Sequence, residues 1–359
     1  MHWSTLIPIL LAAPSSALIR FQCAQLVVER LDPLVTPGEI PSPHVHQIVG
    51  GNSFNATMAP EKDMPAESTC TTCQFSEDFS NYWTAILYFK ARNGTYTRVP
   101  QRANGGFEGS TGGGMTVYYM TDPLYDSTPK SKVKAFQPGF RMFVGDINAR
   151  TKDEAAKFRQ LTYTCMSTAG SREHETVAFP QKKCEYGIMT SLRFPTCWDG
   201  VNLDSPDHMA HMSYPETGTF ESAGPCPASH PVRTSQVMFE VIWDTSKFNN
   251  PEDWPENGEQ PFVWSFGDKS GYANHGDYVF GWKDDSLQKI LDTSCYATSC
   301  GGKQQSIADM NKCAGLKKTV DEDIGVNTWL TALPGMHQAE SSKEDQSKNQ
   351  KRERVEFKA

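Results

Sequence analysis

The sequence predicts a mainly β protein: a sandwich or jelly-roll-like core with long disulfide-tied loops and a few short helices. Three observations carry this. The apolar residues, 38% of the chain, fall in brief runs rich in β-branched and aromatic side chains. The 27 Gly and 23 Pro are scattered between those runs and interrupt any helical period. All ten cysteines lie beyond the N-terminal segment, an even number that fits a disulfide framework.

Taken in order, residues 1–17 read as a signal peptide. The apolar run 3–13 is too short to span a bilayer, and Ser15-Ser16-Ala17 follows it, so cleavage after Ala17 leaves Leu18 as the first mature residue. A buried first strand or helix is the competing use of these residues. One domain is expected over 18–338, with strands at 25–30, 85–89, 116–120, 141–145, 237–243 and 262–266. Helices are expected at 149–161, where good formers follow Asp153, and at 285–292 behind an Asp cap. The glycine-rich stretch 104–114 lacks the Gly-Lys-Ser/Thr ending of a phosphate loop and is expected to be a flexible surface loop. Residues 339–359 are almost wholly polar and are expected to form a disordered charged tail.

Compartment follows from the same features. Up to five disulfides are expected, with a pairing that spacing does not reveal; Cys70-Thr-Thr-Cys73 has no second such pair to complete a zinc site. Sequons at Asn55 and Asn93 mark glycosylation sites on a secretory route. The expectation is a secreted protein, extracellular or in the cell wall, acting as a monomer without a membrane span. A net charge of −8 argues against nucleic acid as partner.

Candidate chemistry gathers in three clusters. In Pro43-His44-Val45-His46, period-two alternation puts both imidazoles on one face of an extended segment. A second cluster runs from Trp198 and Asp199 through Asp207, His208 and His211 to Tyr214, and a third from Asp268 through Tyr272 and His275 to Asp277. Three uses compete for them. Asp199, Asp207 and Asp277, with His208 and His275 beside them, supply acid and base for glycoside hydrolysis, while Trp198, Tyr214, Tyr272 and Arg141 hold the sugar. Alternatively, His44 and His46 ligate a divalent metal together with His211, or with His208 or His275 and a carboxylate such as Asp277. The third use is plain loop architecture, with Asp and His satisfying turn amides. No cofactor is required by any motif; a divalent metal is the one candidate.

Leu26-Val-Val-Glu-Arg-Leu-Asp-Pro33, Pro43-His-Val-His46, Gly50-Gly-Asn-Ser-Phe54, Cys70-Thr-Thr-Cys73 with Asn81-Tyr-Trp83, Phe194-Pro-Thr-Cys-Trp-Asp-Gly200, Asp207-His-Met-Ala-His211 and His275-Gly-Asp277 stand in order, as does Phe136-Gln-Pro-Gly-Phe-Arg-Met142. The chain resembles the fungal secreted family DUF1996, a domain named for its unknown function, with Gln137 a departure from the small or apolar residue expected there. The resemblance implies secretion and raises polysaccharides as partners, but supplies no reaction. A copper oxygenase would place histidine at the mature N-terminus, where Leu18 stands, and no Gly-x-Ser-x-Gly announces a serine hydrolase. The functional expectation is a secreted fungal protein that acts on or binds cell-wall polysaccharide through its Asp/His clusters; a non-catalytic wall or glycan-binding protein is the alternative.

Overall fold

Strand Ala17–Cys23 shows how the sequence builds the frame. Ala17, Ile19 and Phe21 are buried while Leu18 and Arg20 between them are partly exposed, the period-two pattern of a strand with one face on a core. It pairs antiparallel with Met115–Met120, and after Ala24 alone the chain enters Gln25–Glu29, which belongs to a different sheet. The computed structural model describes residues 17–121, 133–158, 161–172, 174–217 and 224–336. The expected signal segment, apart from Ala17, and the expected charged tail lie outside the described residues.

Two large sheets dominate. One runs in the order Leu161–Met166, Gly187–Arg193, Gln236–Trp243, Met115–Met120, Ala17–Cys23, Cys295–Tyr296, with Gln101–Arg102 also on Gln236–Trp243. The other has five strands in the order Gln25–Glu29, His46–Gly50, Asn81–Ala85, His275–Val279, Arg141–Gly145. They pack as a sandwich. Tyr82 and Tyr278 of the second sheet reach Tyr119 of the first through hydroxyl contacts of 2.8 and 2.9 Å, and Phe239 lies against Tyr82. Gly276 faces this junction, where a Cβ would sit 3.0 Å from Leu192 and 3.4 Å from Phe239, so the bare backbone sets how closely the sheets approach. The far face of the five-stranded sheet carries a second core of Leu31, Leu34, Ile48, Phe54, Met58, Met64 and Trp83, supplied largely by the loops after its first two strands. Fully burying side chains of this size contributes about 1.5–3 kcal/mol each.

The mainly β, sandwich-like class is what the sequence predicts, but several element bounds differ. The run 85–89 is two strands, Asn81–Ala85 and Leu87–Lys90, in different sheets. Strand 262–266 ends at Trp264, whose amide bonds to Asp268 across a turn that Gly267 makes at φ +90°. The helix expected over 149–161 is a single turn, Lys152–Ala155, fixed by a capping box from Thr151 and Glu154 and continued only as a 3-10 turn. The helix Ser286–Leu291 lies inside the expected 285–292. No helix among the described residues is long and apolar enough to cross a membrane.

Five disulfides close the loops: Cys23–Cys73, Cys70–Cys313, Cys165–Cys184, Cys197–Cys226 and Cys295–Cys300. Cys70 and Cys73 therefore serve two different crosslinks rather than a metal or redox pair. The expected sequons, Asn55 and Asn93, are both exposed.

Candidate functional site

Period-two geometry and sheet register together assemble a histidine cluster on the loop-covered face of the five-stranded sheet. His46 opens its strand and pairs with Ala85. On the other side of Ala85 comes His275, one residue before the Gly276–Thr84 pair. His44, two residues before His46, shares its face. The three rings converge, with one ligand nitrogen from each lying within 4.8 Å of the others. His44 Nε2 and His275 Nε2 are 3.1 Å apart. Gly145, paired with His275, has φ +111°, and a Cβ there would lie 2.8 Å from the His275 Cα; only glycine fits beside that imidazole.

The backbone fixes how two of the rings present themselves. His46 Nδ1 lies 3.0 Å from the Leu31 carbonyl and His275 Nδ1 lies 3.1 Å from the Ala273 carbonyl. A carbonyl only accepts, so both Nδ1 atoms carry the proton and both Nε2 atoms keep a lone pair. His46 Nε2 is buried and has no hydrogen-bond partner among the described residues. Phe266 lies 5.0 Å from both His44 and His275, and Phe143 lies 5.7 Å from His275, measured between ring centroids. Burial in this apolar shell lowers the pKa of His46 and of His275 to about 4, and that of His44 well below its ordinary value. All three imidazoles are neutral near pH 7, the form in which histidine binds a metal.

Two carboxylates border the cluster. Asp277 follows His275 by two residues on the same face, in one cross-strand row with Ile48, Trp83 and Phe143. It is wholly buried, and neither of its oxygens has a hydrogen-bond partner among the described residues. Burial, and then the neighbouring Asp32, pushes its pKa well up. Asp32 Oδ1 accepts from the amides of Leu34 at 3.2 Å and Val35 at 3.1 Å. The Trp83 indole N–H lies toward Asp32 without completing a well-formed hydrogen bond.

The chain matches the family model described as Domain of unknown function (DUF1996) over residues 32–282. It belongs to the DUF1996 family. The matched span of this DUF1996 chain runs from Asp32 past His44, His46, His275 and Asp277, and so contains the whole cluster. No curated protein and no solved structure matches it.

The other residues singled out from sequence lie elsewhere in the DUF1996 chain and are occupied locally. Asp199 takes the amides of Val201 and Asn202, and Asp207 those of Met209 and Ala210. Against the raising effect of burial, these turn bonds hold both carboxyls below the ordinary range. His208 donates to Asp204 at 2.7 Å from a left-handed backbone position, φ +56°. His211 is not brought to His44 and His46. Its Nε2 meets the Arg141 carbonyl and its Nδ1 meets Ser205 Oγ, both at 2.9 Å. Trp198 is buried and donates to the Asn202 carbonyl, and the Tyr214 hydroxyl donates to the Arg193 carbonyl. Arg141 is buried, with Nη1 on the Met58 carbonyl and Nε 3.8 Å from Asp204. Tyr272 sits partly buried in the turn organised by Asp268, its amide on Ser270 Oγ. Asp32 was not among the candidates: only its place in Leu31-Asp32-Pro33 marks it, and nothing in that spacing points to His275.

Proposed function

We propose that this protein is a metal-binding protein whose centre is His44, His46 and His275 holding one transition-metal ion through their Nε2 atoms. The observation that carries this reading is the pair of backbone-clamped imidazoles. Metal-bound histidines almost always donate their second ring N–H to a carbonyl or carboxylate, which fixes tautomer and orientation, and His46 and His275 do so. The competing reading, a hydrogen bond from His44 Nε2 to His275 Nε2, uses the same 3.1 Å contact. It leaves His46 Nε2 buried and unsatisfied, a cost of about 1–3 kcal/mol, whereas one ion satisfies all three nitrogens. Ligand nitrogens around zinc stand about 2.0–2.1 Å from the ion, so modest side-chain rotation closes the trio on it. Imidazole suits zinc, copper, iron or nickel. Three protein ligands leave a position for water or substrate, as in catalytic zinc sites.

The test is elemental analysis of purified, untagged protein beside a His44→Ala/His46→Ala variant. One equivalent of metal in the parent and none in the variant is expected. Equal, substoichiometric metal in both would overturn the reading.

We also read the protein as exported. Five disulfides need an oxidising compartment, and two sequons stand on exposed positions. Fungal cell-wall polysaccharide remains the proposed partner, supported by that location. Affinity electrophoresis on β-glucan, chitin and mannan gels, with and without long incubation, separates cutting from holding. Protein that is neither retarded nor productive on any polymer removes this part of the proposal.

A further inference from the structure

Of the two buried carboxylates beside the histidines, Asp277 has no structural occupation that accounts for it. Asp277 is wholly buried with both oxygens unpartnered, and among the described residues no lysine or arginine forms an ion pair with Asp277 or Asp32. A carboxyl group placed in a dry interior with nothing to hydrogen-bond it costs several kcal/mol and survives only where something else repays it. The surrounding atoms repeat the message. His46 Nε2, in the next row on that face, is also buried without a partner. A loop-architecture role fits Asp32 Oδ1, which accepts the Leu34 and Val35 amides, but it fits neither oxygen of Asp277.

Charge arithmetic supplies a reason. Three neutral imidazoles around a divalent ion leave two positive charges in an interior flanked by Phe143 and Phe266. Two carboxylates beside the imidazoles, ionised by the field of the bound cation against the raising effect of burial, offset them in full, whereas a monovalent ion needs only one. Resting on the metal reading above, we propose that Asp32 and Asp277 are positioning residues that select a divalent over a monovalent cation at the His44/His46/His275 centre. They act through charge, from the sheet face they share with the imidazoles, not by replacing a histidine ligand. Asp277 is placed for this by period two from His275, and Asp32 by the turn that follows Gln25–Glu29, whose last residue pairs with His46.

The experiment compares wild type, Asp277→Asn and Asp32→Asn, each in the full chain with the three histidines intact. Zn2+ is the divalent probe, measured by competition with a chromophoric chelator, and Ag+ the monovalent probe. Either Asn substitution should weaken Zn2+ about 10–100-fold, the range seen when groups supporting a metal site are removed, while Ag+ changes less than about threefold. Asp32→Ser, which keeps an oxygen for the Val35 amide without the charge, should behave like Asp32→Asn. It serves in place of Asp32→Asn if circular dichroism shows that variant misfolded, and Asp277→Ser does the same for Asp277→Asn. Zn2+ affinity within about threefold of wild type in the folded variants overturns the inference while leaving the metal centre intact. So does an equal loss for both ions, which would mark a merely structural role. A wild-type chain that binds neither ion sinks the metal centre and this inference together.

Discussion

Asp78 makes the stability of this protein depend on pH in a direction opposite to most carboxylates. It lies between the two large sheets, fully buried, with Oδ2 accepting from the Tyr82 hydroxyl at 2.6 Å and Oδ1 from the Ser80 amide at 3.0 Å. Tyr82 continues to Tyr119, which also receives the Trp282 indole at 3.1 Å. Burial outweighs these bonds and raises the Asp78 pKa to about 7 from an ordinary 3.8. The folded state therefore keeps a proton that the unfolded chain gives up between those two values. The sign follows: the carboxyl costs nothing below pH 3.8, costs progressively more as pH rises, and reaches its full cost above about pH 7. At about 1.36 kcal/mol per pH unit, the full effect is on the order of 4 kcal/mol. Asp78→Asn removes it while keeping an amide oxygen for Ser80. Urea unfolding of both proteins at pH 4, 5.5, 7 and 8, disulfides intact, should show the variant gaining on wild type by roughly this amount across the range. Parallel stability curves, separated by a constant offset, would refute the reasoning.

Other expectations follow from the same frame. Replacing Cys70 and Cys313 by serine opens a crosslink between residues 243 apart and should cost about 5 kcal/mol, against about 2 kcal/mol for Cys295 and Cys300, only 5 apart; equal losses in thermal unfolding would contradict the chain-entropy account. Gly276→Ala drives a methyl toward Leu192 and Phe239 and should destabilise by about 1–3 kcal/mol in denaturant titration, and a neutral effect would show that the sheets can part there. Expression in a eukaryotic secretory host should attach a glycan at Asn55 and at Asn93, each lost on Asn→Gln by mass spectrometry; an unmodified site would mean that exposure alone does not admit the transferase.

What the sequence reveals and conceals has physical reasons. Strand Arg141–Gly145 is legible to the residue, because Phe140 and Asp146 are flanked by turn chemistry. The break at Ile86 is invisible, since Tyr82 through Phe89 are buried without interruption and carry no alternation to mark a change of sheet. His44 and His46 share a face by strand period alone, and that much is local. Which distant histidine joins them is a matter of register, and register depends on how the whole sheet pairs. His211 competes on residue type but is taken up by Arg141 and Ser205, a fact of loop packing that spacing does not encode. Asp32 is harder still, because a lone carboxylate after a strand reads as a turn former until the fold puts His275 beside it.

The interior positions of the early and late strands have a consequence for biogenesis. His275–Val279 lies between Asn81–Ala85 and Arg141–Gly145, and Ala17–Cys23 lies between Met115–Met120 and Cys295–Tyr296. A nascent chain emerging N-terminus first thus holds the five-stranded sheet with an open lane, and the other with Ala17–Cys23 as its edge, until most of it has been made. His44 waits through 231 residues for His275. Neither half of the chain completes these sheets alone, and the histidine cluster forms only when His275–Val279 takes its place between its neighbours. An ion at the proposed histidine centre would then bind only after His275–Val279 has paired, reporting completion of that sheet rather than nucleating it.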